Sequence, residues 1–107
     1  MSLNAEERRR TSAELRRNLE LSGLSVAEAA SDLDFTAARL ESTLSVDYAS
    51  DPVDVWQLRD YLDQAVRDAG GTPIAFTVLT ESSRVSARGW FRLREAPRHV
   101  AGTARID

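Results

Sequence analysis

The sequence contains no cysteine, which excludes disulfides and cysteine-ligated zinc. It contains no lysine either, and its fourteen cations are all arginine; this reads as a coding bias toward arginine. There is one histidine, His99, and a lone histidine without a nucleophile or a second histidine makes no catalytic site. No nucleophile–base pair, metal-ligand spacing or phosphate-binding loop is present. The reading is therefore of a protein that is not an enzyme, with no cofactor, no metal and no evident small-molecule ligand. No apolar run of about eighteen residues occurs, so no membrane helix is expected. The polar, arginine-rich start lacks the apolar stretch of a signal peptide. A cytoplasmic protein without a membrane partner is expected.

What is present is ordinary for a globular chain: 107 residues, 42% hydrophobic and 29% charged, enough for one domain with a modest core. The net charge of −3 is unevenly spread. Residues 1–80 hold eight arginines and fourteen carboxylates, a balance of −6, whereas residues 81–107 hold six and three, a balance of +3. A basic end on an acidic body can orient a protein on a polyanion.

The stretch from Leu24 to Leu44, LSVAEAASDLDFTAARLESTL, reads as two short helices around a tight turn. Ser25 caps the first, with Glu28 as its capping-box partner, and Ala29, Ala30 and Leu33 point inward. Asp34 and Phe35 make the turn. Thr36 caps the second helix, where Leu40 and Leu44 share a face. This is the helix-turn-helix unit that DNA-binding proteins set in the major groove.

Two further helices flank the pair. Asn4 to Leu21 has an N-terminal cap, inward Leu15 and Leu19, and a stop at Gly23. Its Arg8, Arg9 and Arg10 are either a phosphate-binding arm or a solvated face partly neutralised by Glu6, Glu7 and Glu14. Asp51 and Pro52 open the last helix, in which Val55, Leu58, Leu62, Ala65, Val66 and Ala69 form an apolar stripe that Gly70 and Gly71 end. Trp56 falls off the stripe, as peripheral core or as a dimer contact.

From Ile74 the period changes. Ile74, Phe76 and Val78 alternate in a strand pattern, Thr80 to Ser86 reads as a loop, and Arg88 to Arg94 as a second strand. The predicted fold is mainly α, of the α+β class. A four-helix helix-turn-helix unit is followed by a wing-like C-terminal β-hairpin, with residues 1–94 as one domain and 95–107 as a flexible or loosely packed tail. The tail could add a third strand from Val100 to Ile106. Arg88, Trp90, Arg92 and Arg94 would share the hairpin's outer face, cations around an aromatic, as a nucleic-acid or acidic-peptide surface requires.

The segments MSLNAEERRRTSAELRRNLELSGLSVAEAASDL, DPVDVWQLRDYL, PIAFTVL and WFRL resemble, in that order, a bacterial family known as domain of unknown function 2316. The resemblance extends to about Leu93. It implies a small helix-turn-helix protein and carries no activity. The central stretch is also similar to phage-repressor helix-turn-helix units, without their basic recognition surface.

Two functions follow as expectations. In the first, a DNA-binding or transcription-regulator-like protein, the commonest use of this scaffold, the second helix enters the major groove. Thr36, Arg39, Ser42 and Thr43 are then the contact residues, and Arg88, Arg92 and Arg94 clamp the backbone from a homodimer. Against it, residues 20–47 hold six carboxylates and one arginine, a balance of −5, and DNA affinity rests on neutralising phosphates. The alternative is a protein–protein interaction module on the same scaffold, with Trp56 and Trp90 as anchors.

Overall fold

A computed structural model describes residues 3–89 and 92–99. Helix α1, Ala5–Ser22, starts where Asn4 and Glu7 cap one another: the Asn4 side chain accepts from the Glu7 N–H at 2.8 Å, and the Glu7 carboxylate accepts from the Asn4 N–H at 3.0 Å. Gly23, at φ 74°, ends it in the left-handed conformation a side chain would resist. Helix α2, Val26–Leu33, opens on the same reciprocal box between Ser25 and Glu28. Asp34 turns the chain at φ 59° and ψ 41°, an angle tolerated by Asp better than by most residues. Thr36 then caps α3, Ala37–Ser45, by accepting from the Arg39 N–H at 3.1 Å.

Val46 ends α3 at φ 49°, a strained angle for a β-branched residue. It is held because its side chain is buried and because Arg8 donates to its carbonyl at 2.9 Å and to that of Asp47 at 3.2 Å. Helix α4, Pro52–Asp68, begins with Asp51 as cap and proline in its first turn. It is the central helix: Val55, Trp56, Leu58, Tyr61, Leu62 and Val66 are all buried. Helix α1 packs mainly on α4 and also on α3, and α3 bridges α2 to α4.

Beyond Gly70 the chain departs from the expected hairpin. No strand occurs among the described residues. Residues 72–76 have no regular structure and residues 77–79 bend, so the alternation of Ile74, Phe76 and Val78 does not make a strand; the segment pairs with side chains instead. Asn18 on α1 meets Ile74 twice, accepting from its N–H at 2.9 Å and donating to its carbonyl at 3.3 Å. One turn earlier, the Glu14 carboxylate accepts from the Thr77 N–H at 3.1 Å and the Thr77 hydroxyl at 2.7 Å. From α4, Arg59 donates to the Leu79 carbonyl at 3.0 Å and lies over the Phe76 ring. Phe76 and Leu79 thereby reach the core.

The stretch expected to be a polar loop is instead helix α5, Glu81–Arg88. Thr80 caps it by accepting from the Ser83 N–H at 3.2 Å, and Glu81 complements the helix dipole. Of the second strand expected from Arg88 to Arg94, Arg88 is instead the last residue of α5, and Arg92 to Arg94 have no regular structure. Helix is the only regular structure among the described residues, without a wing. Trp90 and Phe91 lie outside the described residues, as does the possible strand from Val100. Residues 95–99 run along α4: the Glu95 carbonyl accepts from Gln57, and Arg98 bonds Asp68 at 2.6 Å.

The buried stripe of α1 is largely polar, comprising Thr11, Glu14, Asn18 and Ser22 beside Leu15. Buried backbone groups left without partners cost about 1–3 kcal/mol each. Asn18→Ala is therefore expected to destabilise the fold by about 2 kcal/mol or more, read as a lower urea midpoint. Arg9→Ala, on a solvated ion pair with Glu6, should change the midpoint little.

Candidate functional site

The caps at Ser25 and Thr36 set the α2–α3 corner so that the first turn of α3 is open to solvent at Thr36, Ala37, Ala38 and Arg39, while Leu40, Thr43 and Leu44 face inward. The four α3 residues expected to touch DNA differ in what they offer. The Thr36 hydroxyl is spent as the helix cap. Ser42 donates to Asp47 at 2.7 Å. Thr43 is 1% exposed and donates back to the Arg39 carbonyl at 2.7 Å. Only Arg39 extends a functional group outward.

Arg39 is tied to α4. Its Nε and Nη2 each donate to one oxygen of Asp54 at 2.8 Å, an edge-on bidentate pair, and its guanidinium stacks over Phe35 at 4.0 Å. Asp54 itself is 5% exposed. It also accepts from Arg94. Burial pushes the Asp54 carboxyl upward, but the bonds from Arg39 and then Arg94 outweigh burial and hold it below its ordinary 3.8. The Asp54 bond likewise raises Arg39, against its own partial burial, with the charges of Asp54, Asp51 and Asp34 adding to the effect. Arg39 and Arg94 thus share a face, with a carboxylate between them.

Arg88 and Arg92 stand elsewhere. With Arg84 and Arg94 they line a cleft bounded by α4, α5 and residues 92–95. The remaining exposed cations are mostly answered within the chain: Arg9 and Arg10 by Glu6, Arg16 by Glu41 at 2.6 Å, Arg17 by Glu20 and Arg67 by Asp63. Arg8 turns in to cap α3, and Tyr48 stacks on it at 4.3 Å. Trp56 is 1% exposed, within the core and under the Arg84 guanidinium at 4.9 Å, so a partner cannot reach it without opening the monomer. Trp90 lies outside the described residues.

One constellation went unread in the sequence. Asp32 on α2 accepts from the Tyr61 hydroxyl at 2.6 Å and lies 2.6 Å from Nδ1 of His99. This links α2, α4 and the C-terminal segment. Burial, and then the Asp32 bond, push the Tyr61 hydroxyl far above its ordinary 10.0. The buried Tyr61 was in principle visible, since it follows Leu58 by three and precedes Ala65 by four; its partners, far along the chain, were not. No group of three potential metal ligands occurs among the described residues, and no described helix is long and apolar enough to cross a membrane.

A family model for bacterial proteins, described as "uncharacterized protein conserved in bacteria" (domain of unknown function 2316), matches residues 1–92, and the chain belongs to that family. No curated protein and no solved structure matches it.

Two pH effects follow from these shifts. Because the folded Asp54 carboxyl is lowered, its contribution to stability is present above its ordinary 3.8 and is lost as pH falls through the lower folded value. Because Tyr61 is raised, its contribution is present below its ordinary 10.0 and is lost as pH rises beyond that. In thermal melts, Asp54→Asn should lower stability near neutral pH and flatten the acid limb, and Tyr61→Phe should flatten the limb above pH 10.

Proposed function

We propose that this family member is a protein-interaction module on a helix-turn-helix scaffold, its acidic α2–α3 face meeting a basic partner surface. The observation that supports this most is the state of Arg39. It is the lone cation between Glu20 and Asp47, and Asp54 occupies one edge of it. Glu28, Asp34, Glu41 and Asp51 are exposed around the same unit. A DNA duplex gains affinity from cations that displace its counterions, and residues 20–47 hold six carboxylates to one arginine. A partner rich in arginine or lysine is attracted by the same charges. A second copy presenting this same face would be repelled, so the partner is a different chain or a different face. The role is binding, without a catalytic step.

A DNA-binding, transcription-regulator-like reading keeps one observation in its favour. Asp54 takes Nε and Nη2 of Arg39, whose side chain is 42% exposed beside the open first turn of α3 and keeps Nη1 without a bond to Asp54. A bidentate contact to guanine uses guanidinium donors.

The two readings separate cleanly with a photo-crosslinking residue at Ala38, in cells. A discrete protein adduct, weakened by Asp34→Asn with Glu41→Gln, is the expected outcome. A nuclease-sensitive adduct, together with steeply salt-dependent binding to duplex fragments in anisotropy titrations, would replace the first reading with the second.

A further inference from the structure

We infer that the arginine-lined cleft between α5 and residues 92–95 binds a small phosphorylated molecule through its phosphate oxygens. The cleft measures about 480 Å³, within the range of ligand pockets. Four guanidinium groups line it, from Arg84, Arg88, Arg92 and Arg94, against the two carboxylates of Asp60 and Glu95, a balance of +2.

The Asp60 carboxylate is already consumed. One oxygen accepts from Arg59 at 3.0 Å and from Arg84, and the other accepts from Arg84 at 2.9 Å. That pairing, the Glu81 bond at 3.0 Å and the stack on Trp56 fix Arg84, which is 14% exposed, in the cleft wall. Arg94 is fixed by Asp54. Donors held before the ligand arrives lose little freedom on binding. Arg88 and Arg92 are exposed and meet no carboxylate among the described residues. They supply the unbalanced charge. Against them stand Glu95 and the negative end of the α5 dipole, while Asp60 and Glu81 are taken up by Arg84 and Asp54 by Arg94.

The shape selects a small ligand. Arg84 is reached from within the concavity, whereas a duplex backbone rides on protruding cations. Among the described residues Leu93 is the one apolar side chain of the lining, and the groups that dominate it are guanidinium forks, which match phosphate oxygens. A nucleoside diphosphate and free pyrophosphate share that chemistry.

The test is titration calorimetry on the full chain with pyrophosphate and with ADP, at fixed ionic strength. Saturable binding of pyrophosphate is expected, weakened about tenfold by Arg88→Gln or Arg92→Gln, the loss of roughly one charge-assisted contact. Arg9→Gln with Arg10→Gln should leave it unchanged, and matching thermal melts show that the variants fold. Equal affinity for ADP assigns recognition to the phosphates; tighter ADP binding adds nucleoside contacts to the same site. Heats reproduced by sulfate, binding insensitive to Arg88 and Arg92, or binding of a duplex oligonucleotide without pyrophosphate would overturn the inference.

Discussion

A carboxylate buried at the first turn of α4 must be paired, because an isolated buried charge costs several kcal/mol. Asp54 meets that requirement twice, with Arg39 from α3 and Arg94 from the C-terminal segment. The angle of α3 on α4 and the course of residues 92–94 both follow from it. So does the chemical character of the exposed face. The guanidinium that a groove-reading helix would extend to a base is half engaged in holding the helix in place, and what surrounds it is acid. One interaction therefore holds both α3 and the C-terminal segment to α4.

The basic charge has not vanished; it has moved. Between the acidic α2–α3 unit and the cleft at α5 lies α4, which serves both sides. Asp54 faces the helix-turn-helix corner, whereas Asp60, under two turns later, organises Arg59 and Arg84. The same device, a carboxylate in α4 gripping a pair of arginines, builds one surface where the cations are restrained among acids and another where they accumulate. An all-arginine complement suits this arrangement, since each planar fork grips a carboxylate along an edge and keeps donors to spare.

Local signals carried the first four helices. The caps at Asn4, Ser25, Thr36 and Asp51, the turn at Asp34 and the stops at Gly23 and Gly70 each depend on residues within a few positions of one another, and each is where the sequence placed it. The hairpin failed for the opposite reason. Alternation at Ile74 to Leu79 does not report the segment's partner, and the partners are side chains of Asn18 and Glu14, more than fifty residues earlier. Helix α5 has a cap at Thr80 but a single buried residue, Ala87, so periodicity had nothing to register. At the candidate site, Arg39 was legible as the outstanding cation of its helix. Its capture by Asp54 was not, because fifteen positions and a turn of the chain separate them. Nor could sequence show that Arg84, read as loop, joins Arg88, Arg92 and Arg94.

The segment that lies over α1 has a consequence for how the chain is made. Synthesis delivers Glu14 and Asn18 early and Ile74 and Thr77 late. A chain that has emerged only as far as Gly71 lacks the groups that bond Glu14 and Asn18, and lacks the Phe76 and Leu79 side chains of the core. Closure of the interior thus falls to a strap that arrives after the helices it fastens.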